Sequence, residues 1–251
     1  MRHVLGSLIL AVLAGPASLR AQIRLTVDPI ASLAWWQINP HMNHLWATTC
    51  PAEPSWRAVE GRSSGWFQGT GFRPPKHADA GINDTTLVPL YPRYEALSVC
   101  TEGVVGQVLV ADTVRWRGVR GEVSVKADSL VSGDERRDLY TRRALLQTTQ
   151  YPEIRFTIDS LVNVTRHADT IRGTAVGVLD LHGVKKPMNA GVQAWPELGG
   201  LRVLGRLRLP ALALTEEFGL SRFGLGLGVN TRIWYDLFMG VDVVLRPHGG
   251  S

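Results

Sequence analysis

From about Val104 onwards, apolar and polar residues alternate in short runs that Gly, Asn, Asp or Pro interrupt. In residues 119–126 the odd positions are apolar or glycine and the even positions are polar, which is the period of a half-buried β-strand. The same alternation recurs in residues 154–159, 188–194, 201–209 and 239–245. Regular strands joined by short turns favour an antiparallel sandwich or barrel over βαβ units, and closure into a barrel removes exposed edges.

Two interruptions of this rhythm predict local features. Val114 and Trp116 place apolar side chains on even positions, so the phase changes near Gly118 and predicts a bulge or bend there. Residues 134–147 lack Gly and Pro and begin with acidic side chains, which predicts a short helix with Asp134 near its N-cap. The helix should end before Tyr151, because the following proline disfavours helical geometry at that residue.

The N-terminal 21 residues have the build of a secretory signal peptide. A basic start precedes an apolar stretch from Val4 to Ala14, and small residues follow at Ala17 and Ala21. We expect cleavage after Ala21, with the bond after Ala17 as the alternative. The apolar stretch is shorter than the roughly 20 residues that span a bilayer, which favours a periplasmic or secreted protein over one with a stable membrane span.

Residues 39–100 differ in composition from the rest of the chain, because they are rich in Pro, Gly, Trp and Ser. Irregular loops of this length are uncommon inside a compact domain. We therefore expect an insertion in a barrel domain of residues 22–248, lying over the barrel as a cap or lid. In an oxidising compartment, Cys50 and Cys100 are expected to form a disulfide at its two ends, the alternative being two free buried thiols.

Charge and side-chain chemistry narrow the function classes. The chain has 27 basic and 22 acidic residues, and removing Arg2 and Arg20 with the signal peptide leaves a net charge of +3. These basic residues are dispersed, which argues against a nucleic-acid partner. His41, His44 and Cys50 lack further ligands at convincing spacing, so no metal site is predicted. No Ser, Cys or Thr lies in a nucleophile motif, so no enzyme is predicted.

His182 and Gly183 are best explained as a tight hairpin turn. The alternative is a histidine at a barrel mouth that hydrogen-bonds a quinone head group.

Three motifs in order resemble the YceI-like lipid-binding family. GEVSVKADSLVSG at 121–133 resembles a strand that leads through a Ser-Leu-x-Ser/Thr-Gly turn into a helix. YPEIRF at 151–156 is similar to the Tyr-Pro-x-Ile-x-Phe entry into the next strand, and GVLDLHGVKKP at 177–187 resembles the Gly-x-Leu-x-Ile-His-Gly-Val-Thr-Lys-Pro hairpin. VDPIAS at 27–32 is similar to the opening Val-Asp-x-x-His-Ser, with Ala31 where histidine is common. The helix lacks the His-Leu-Arg-Ser…Phe-Phe-Asp motif of the family. The insertion at 39–100 is absent from the usual family pattern.

The resemblance implies an all-β fold with minor α content: an eight-stranded antiparallel lipocalin-like β-barrel with one short helix and a long inserted loop region. It also implies an apolar tunnel for a polyisoprenoid, an isoprenoid quinone or a fatty-acyl chain, with no other cofactor. A barrel of about eight strands is just wide enough for side chains or one slender ligand. The expected lining consists of inward apolar residues, with Trp116 and Phe223 at a mouth: Val123, Val125, Phe156, Ile158, Met188, Val192, Leu207 and Val241.

These expectations define a leading function and two alternatives. The leading one is an exported carrier or sequestering protein for an apolar amphiphile. The alternatives are a solidly packed interaction or stress module that binds through its insertion, and an enzyme acting on a small apolar substrate. A homodimer is compatible with each of them.

Overall fold

The computed structural model of the chain describes residues 22–38, 45–49, 102–131, 135–197, 199–210, 213–220 and 237–248. Ten strands lie within these ranges: β1 Ile23–Val27, β2 Leu33–Ile38, β3 Leu45–Thr48, β4 Val104–Val110, β5 Arg120–Lys126, β6 Glu153–His167, β7 Thr170–Leu181, β8 Val184–Glu197, β9 Gly200–Leu209 and β10 Leu237–Pro247. One α-helix, α1 (Glu135–Tyr140), continues into a single π-helical turn, Thr141–Leu145, and a second π-helical turn spans Ala213–Glu217.

Eight of the strands form a closed antiparallel barrel, as the sequence predicted. They pair in the order β1-β4-β5-β6-β7-β8-β9-β10, and β10 pairs again with β1. The first half of β10 pairs instead with β2, which carries β3 on its other side. Strands β1 and β2 therefore follow one another beside β10. Between them the chain bends at Asp28, whose Oδ1 accepts hydrogen bonds from the amides of Ile30 and Ala31 at 3.2 and 3.3 Å.

Strand register decides which side chains share the interior. Val123 lies opposite Phe156, and Phe156 lies opposite Leu179 on the next strand. Because successive residues of a strand point to opposite faces, this register extends one inward layer around the barrel. The alternation of apolar and polar residues in the sequence thus produces an apolar barrel interior.

The outer face is not uniformly polar. On β6 the outward Arg155 is exposed, but the outward Phe238 and Val244 of β10 are buried, as is Leu33 beside them on β2. Strands that are buried on both faces read as nearly continuous apolar runs. This explains why β2, with the sequence LAWWQI, carries no clear alternation.

The segment around Trp116 differs from the sequence interpretation. Residues 112–117 are the turn of the β4–β5 hairpin, in which the Asp112 carboxylate accepts hydrogen bonds from the amides of Val114 and Arg115 at 3.1 and 3.0 Å. Val114 is 81% exposed, so the prediction that it lies on the buried face of a strand was wrong. The bend itself is confirmed, because Gly118 has a φ of +64°.

The predicted helix is present between β5 and β6. It spans Glu135–Tyr140 and the π-helical turn that follows, and it ends before Tyr151 as expected. Asp134, the expected N-cap, lies outside the described residues. No helix in the described ranges is long and apolar enough to cross a membrane.

Several predictions fall on residues that the structure does not describe. These are the signal peptide at 1–21, most of the insertion, Cys50 and Cys100, the histidines at 41 and 44, and Phe223. Within the expected insertion, however, Leu45–Thr48 forms β3 and pairs with β2. That part of the segment has regular structure of its own, which the sequence did not indicate.

Candidate binding cavity

The barrel contains a partly open cavity of about 130 Å³ whose wall is almost entirely apolar. Eight strands contribute to the wall, and Leu130, which follows β5, adds to it. The lining residues are Ala34, Trp35, Trp36, Val108, Val123, Val125, Leu130, Ile154, Phe156, Ile158, Ala175, Leu179, Ala190, Val192, Val203, Gly205, Arg206, Leu207, Met239, Gly240, Val241, Val243 and Leu245.

Small side chains at facing positions create this space. Ala175 of β7 lies directly opposite Ala190 of β8, and Gly205 of β9 lies between Val192 and Val241. A Cβ added at Gly205 would meet only Val241 Cγ2, at 3.2 Å. An eight-stranded barrel with larger residues here would be filled by its own side chains. The cavity therefore depends on the size of a few residues in its middle layer.

Buried apolar side chains lie near both ends of the barrel. At the end with the β7–β8 turn, Val104, Leu181 and Leu209 are fully buried in the hydrophobic core. At the opposite end, with the β6–β7 turn, Leu25 and Val110 are buried in the same way.

The β7–β8 turn consists of His182 and Gly183, which have φ values of +54° and +76°. Positive φ at both central residues is typical of a type I′ turn, so the turn prediction is confirmed. The Nδ1 atom of His182 lies 3.2 Å from the carbonyl oxygen of Phe218, which can only accept, so Nδ1 donates. The imidazole also packs on Tyr151, with ring centroids 4.3 Å apart.

His182 is not part of the cavity wall. Its Nε2 is buried and has no hydrogen-bond partner. Nearby, Lys186 Nζ lies 3.6 Å from Glu217 Oε2, so two polar contacts tie residues 217 and 218 to this end of the barrel.

A strongly buried charge pair lies on the outer face of the barrel. Asp242 Oδ1 accepts a hydrogen bond from Arg202 Nε at 2.8 Å, and Arg202 also contacts Glu197 at 3.0 Å. Burial raises the pKa of Asp242 to about 6, although Arg202 acts in the opposite direction. Asp242 lies between Val241 and Val243, which line the cavity, so its side chain points away from it.

Among the described residues of the wall, Arg206 is the only charged one. Its neighbours Gly205 and Leu207 also line the cavity, so alternation along β9 directs the Arg206 side chain to the outer face. In the part of the chain that the structure describes, no three His, Cys, Asp or Glu side chains come together as a metal site. The geometry of the described wall therefore offers apolar contact and little else.

Seven of the ten residues expected to line a tunnel do line the cavity: Val123, Val125, Phe156, Ile158, Val192, Leu207 and Val241. Met188 and Trp116 pack against the core without reaching the wall. Met188 lies one inward position nearer the β7–β8 turn than Ala190, and Trp116 lies in the β4–β5 turn. Whether any of these residues contacts a ligand stays a prediction.

Sequence reasoning missed much of the remaining wall. Ala175 and Leu179 follow the alternation of β7 and could have been found from it. Ala34 and Trp36 lie on β2, where apolar residues on both faces obscure the period.

A closed antiparallel barrel with an apolar lumen defines the class of small-molecule-binding β-barrels. Within that class, a model of the YceI-like domain matches residues 97–244. This match covers more than half of the chain, so the chain belongs to the YceI-like family.

Two solved structures are similar over nearly their full length. BcnA from Burkholderia cenocepacia is 9% identical with a TM-score of 0.53, over 87% of this chain and 98% of that one. A polyisoprenoid-binding domain from Saccharophagus degradans, described as implicated in plant cell wall breakdown, is 11% identical with a TM-score of 0.53, over 90% and 99%. At these identities the likeness concerns the fold alone. No curated protein matches the chain.

Proposed function

We propose that this protein is exported and carries or sequesters a polyisoprenoid, an isoprenoid quinone or another long-chain lipid inside its barrel. The observation that carries the proposal is the cavity of about 130 Å³ with its apolar wall. The similar Saccharophagus domain is described as polyisoprenoid-binding, which agrees with this choice of ligand class.

The chemistry of the wall favours binding over reaction. Apolar burial stabilises a complex by roughly 25 cal/mol per Å² without requiring polar contacts. General acid–base or nucleophilic catalysis would need a polar side chain within hydrogen-bond reach of the substrate. In the described wall the single charged residue is Arg206, and its side chain points outward. We therefore infer a carrier and not an enzyme.

Ligand retention can be tested by gentle purification, solvent extraction and mass spectrometry. We expect a lipid to co-purify with the wild-type protein and to be lost from the double variant Ala175→Leu/Ala190→Leu, because the larger side chains fill the middle of the cavity. Val178→Leu on the same strand is the matched control. Val178 is half-buried on the outer face of β7, and this variant should keep its lipid.

The opposite outcome would change the function class. If the extract contains no lipid and the purified protein binds no added prenol, the cavity is only a gap in the packing. The interaction module then becomes the better explanation.

We also propose that residues 1–21 are removed on export, that the insertion caps the barrel, and that Cys50 is disulfide-bonded to Cys100. Intact-mass measurement of the protein purified from the periplasm or medium, with and without reduction, tests the first and third points. We expect a mature N-terminus at Gln22 and a mass increase of two hydrogens on reduction. Retention of Met1, or two alkylatable thiols without reduction, would contradict them.

A further inference from the structure

We propose that the β4–β5 turn, residues 112–117, is a docking surface for anionic phospholipid membranes. In this docked state Val114 enters the headgroup region of the bilayer, and the arginines near it bind lipid phosphate groups. This inference goes beyond the proposed lipid carriage and can be tested without any ligand in the barrel.

The turn exposes an apolar side chain at its apex. Among the described residues, Val114 is the most exposed large apolar one, at 81%. It lies beyond the last residue of β4 and the first residue of β5. A single exposed valine is ordinary on a protein surface, so the structure and charge of the turn around it decide whether the exposure has a function.

The turn holds Val114 outward in a fixed conformation. Asp112 and Arg117 exchange backbone hydrogen bonds of 3.1 and 3.2 Å, and the Asp112 carboxylate accepts hydrogen bonds from the amides of Val114 and Arg115. Trp116 has a φ of +53° and packs against the hydrophobic core. Side chains rarely adopt this conformation, and it persists only where the surrounding structure fixes it. Val114 is therefore presented to solvent by an anchored turn.

The charges next to Val114 are basic. Arg115, Arg117 and Arg120 are exposed, whereas Asp112, the single acidic residue of 111–121, is 8% exposed. Arg115 Nη1 lies 4.0 Å from Asp112 Oδ2 and its side chain is 58% exposed, so this weak ion pair leaves it able to bind another anion. Arginine stems lie along apolar surface while their charged ends reach polar groups, which suits the boundary between acyl chains and phosphates.

The charges of the described residues differ between the two ends of the barrel. At the end with the β4–β5 and β6–β7 turns, Arg24 and Arg166 are also exposed, against the exposed acids Asp159 and Asp169. The opposite end exposes both signs in similar number: Glu102, Lys126, Asp128, Glu135, Arg136, Arg143, Glu153, Arg155, Lys185, Glu216 and Glu217. Charge complementarity therefore directs the end with the β4–β5 turn towards an anionic surface.

The hairpin that carries the turn also contributes to the cavity. Val108 of β4 and Val123 and Val125 of β5 line the wall. A bilayer bound at the turn thus lies at the end of two strands that contact the lumen, and docking would bring the barrel to the source of its lipid.

Vesicle flotation of the full mature protein measures docking directly. We expect binding to vesicles made of equal parts phosphatidylglycerol and phosphatidylcholine, and much weaker binding to phosphatidylcholine alone. In about 1 M salt this difference should vanish, because charges are then screened within about 3 Å. Each basic residue near an anionic surface contributes roughly fivefold, so Arg115→Gln/Arg117→Gln should weaken binding roughly 25-fold.

The apolar contribution has its own variant. Val114→Ser should weaken binding to the anionic vesicles roughly tenfold, because the contact with the acyl region is lost. Substitution of so exposed a residue should leave folding intact. The matched controls are Val105→Ser, at a 43% exposed valine of β4, and Arg136→Gln/Arg143→Gln at the other end of the barrel. Both controls should bind vesicles like the wild type.

Three results would overturn the proposal. These are equal binding to neutral and anionic vesicles, absence of binding to either, and equal losses in the turn variants and their controls. Absence of binding would instead favour an acidic protein as the partner of the turn. Solvent extraction keeps this question separate from lipid carriage: Val114 is not part of the cavity wall, so Val114→Ser should co-purify with the same lipid as the wild type even where docking is lost.

Discussion

At the scale of single residues, Asp242 is the least expected group in the structure. Its side chain is 2% exposed, and its Oδ2 has no hydrogen-bond partner. Arg202 satisfies only the other oxygen. Burying a charge is costly unless it is both paired and fully hydrogen-bonded, which is why desolvation outweighs the nearby arginine and raises the pKa of Asp242.

This raised pKa makes stability depend on pH. The unfolded chain loses the Asp242 proton near 3.8, while the folded protein keeps it until about pH 6. The folded state therefore binds the extra proton between these values, and the contribution of Asp242 to stability falls as pH rises through this window. The loss is complete above pH 6 and amounts to up to about 3 kcal/mol.

Asp242→Asn should remove this dependence. Urea unfolding at pH 4 and pH 7 is the measurement, and we expect the stability of the variant relative to wild type to be higher at pH 7 than at pH 4. Arg202 keeps its contact with Glu197 in the variant, so it is not left without a partner. An equal difference at both pH values, or one of opposite sign, would contradict the assignment.

At the scale of elements, turns and strands differ in how much the sequence discloses. The β7–β8 turn could be predicted because His-Gly between two alternating runs favours a two-residue hairpin. Strands β5, β6, β8 and β9 could be predicted because apolar and polar residues alternate along them. Strand β2 could not, since Trp35 on its outer face packs over Gly240 and is as buried as the inward Trp36. Its period is therefore hidden by tertiary packing.

Two glycines with positive φ give a matched pair of variants: Gly183 in the β7–β8 turn and Gly219, which follows the π-helical turn Ala213–Glu217. Gly183→Ala combines a strained φ of +76° with a Cβ only 2.6 Å from Tyr151 Cε1, whereas Gly219→Ala has a similar φ of +66° and nothing within 4 Å. The backbone strain alone costs about 1 to 2 kcal/mol in each case. Overpacking against Tyr151 should add a further 1 kcal/mol or more to Gly183→Ala. Thermal and urea unfolding should rank the two in that order, and equal losses would remove Tyr151 from the explanation.

At the scale of the whole molecule, the closed barrel was predictable but its cavity was not. The alternating pattern and three motifs were enough to indicate the fold and the family. Cavity size depends on which inward positions meet across strands, and register cannot be read from one strand alone. Ala175 and Ala190 are unremarkable in the sequence, yet their pairing leaves the middle of the barrel open. For the same reason Met188 was correctly predicted to point inward but not to line the cavity, since it lies one inward position outside the wall.

Barrel closure through β1 and β10 has a consequence for how the protein folds. Thr26 and His248, which are 222 positions apart, lie 3.3 Å apart across the seam between these strands. Pairings so distant along the chain are slow to form, because the chain loses the entropy of closing a long loop before the contacts stabilise it. Until β10 has been synthesised, β1 and β9 each lack one neighbour, and unpaired strand edges promote aggregation. We therefore expect the seam to form last and to be the part of the barrel that is most prone to aggregation during folding.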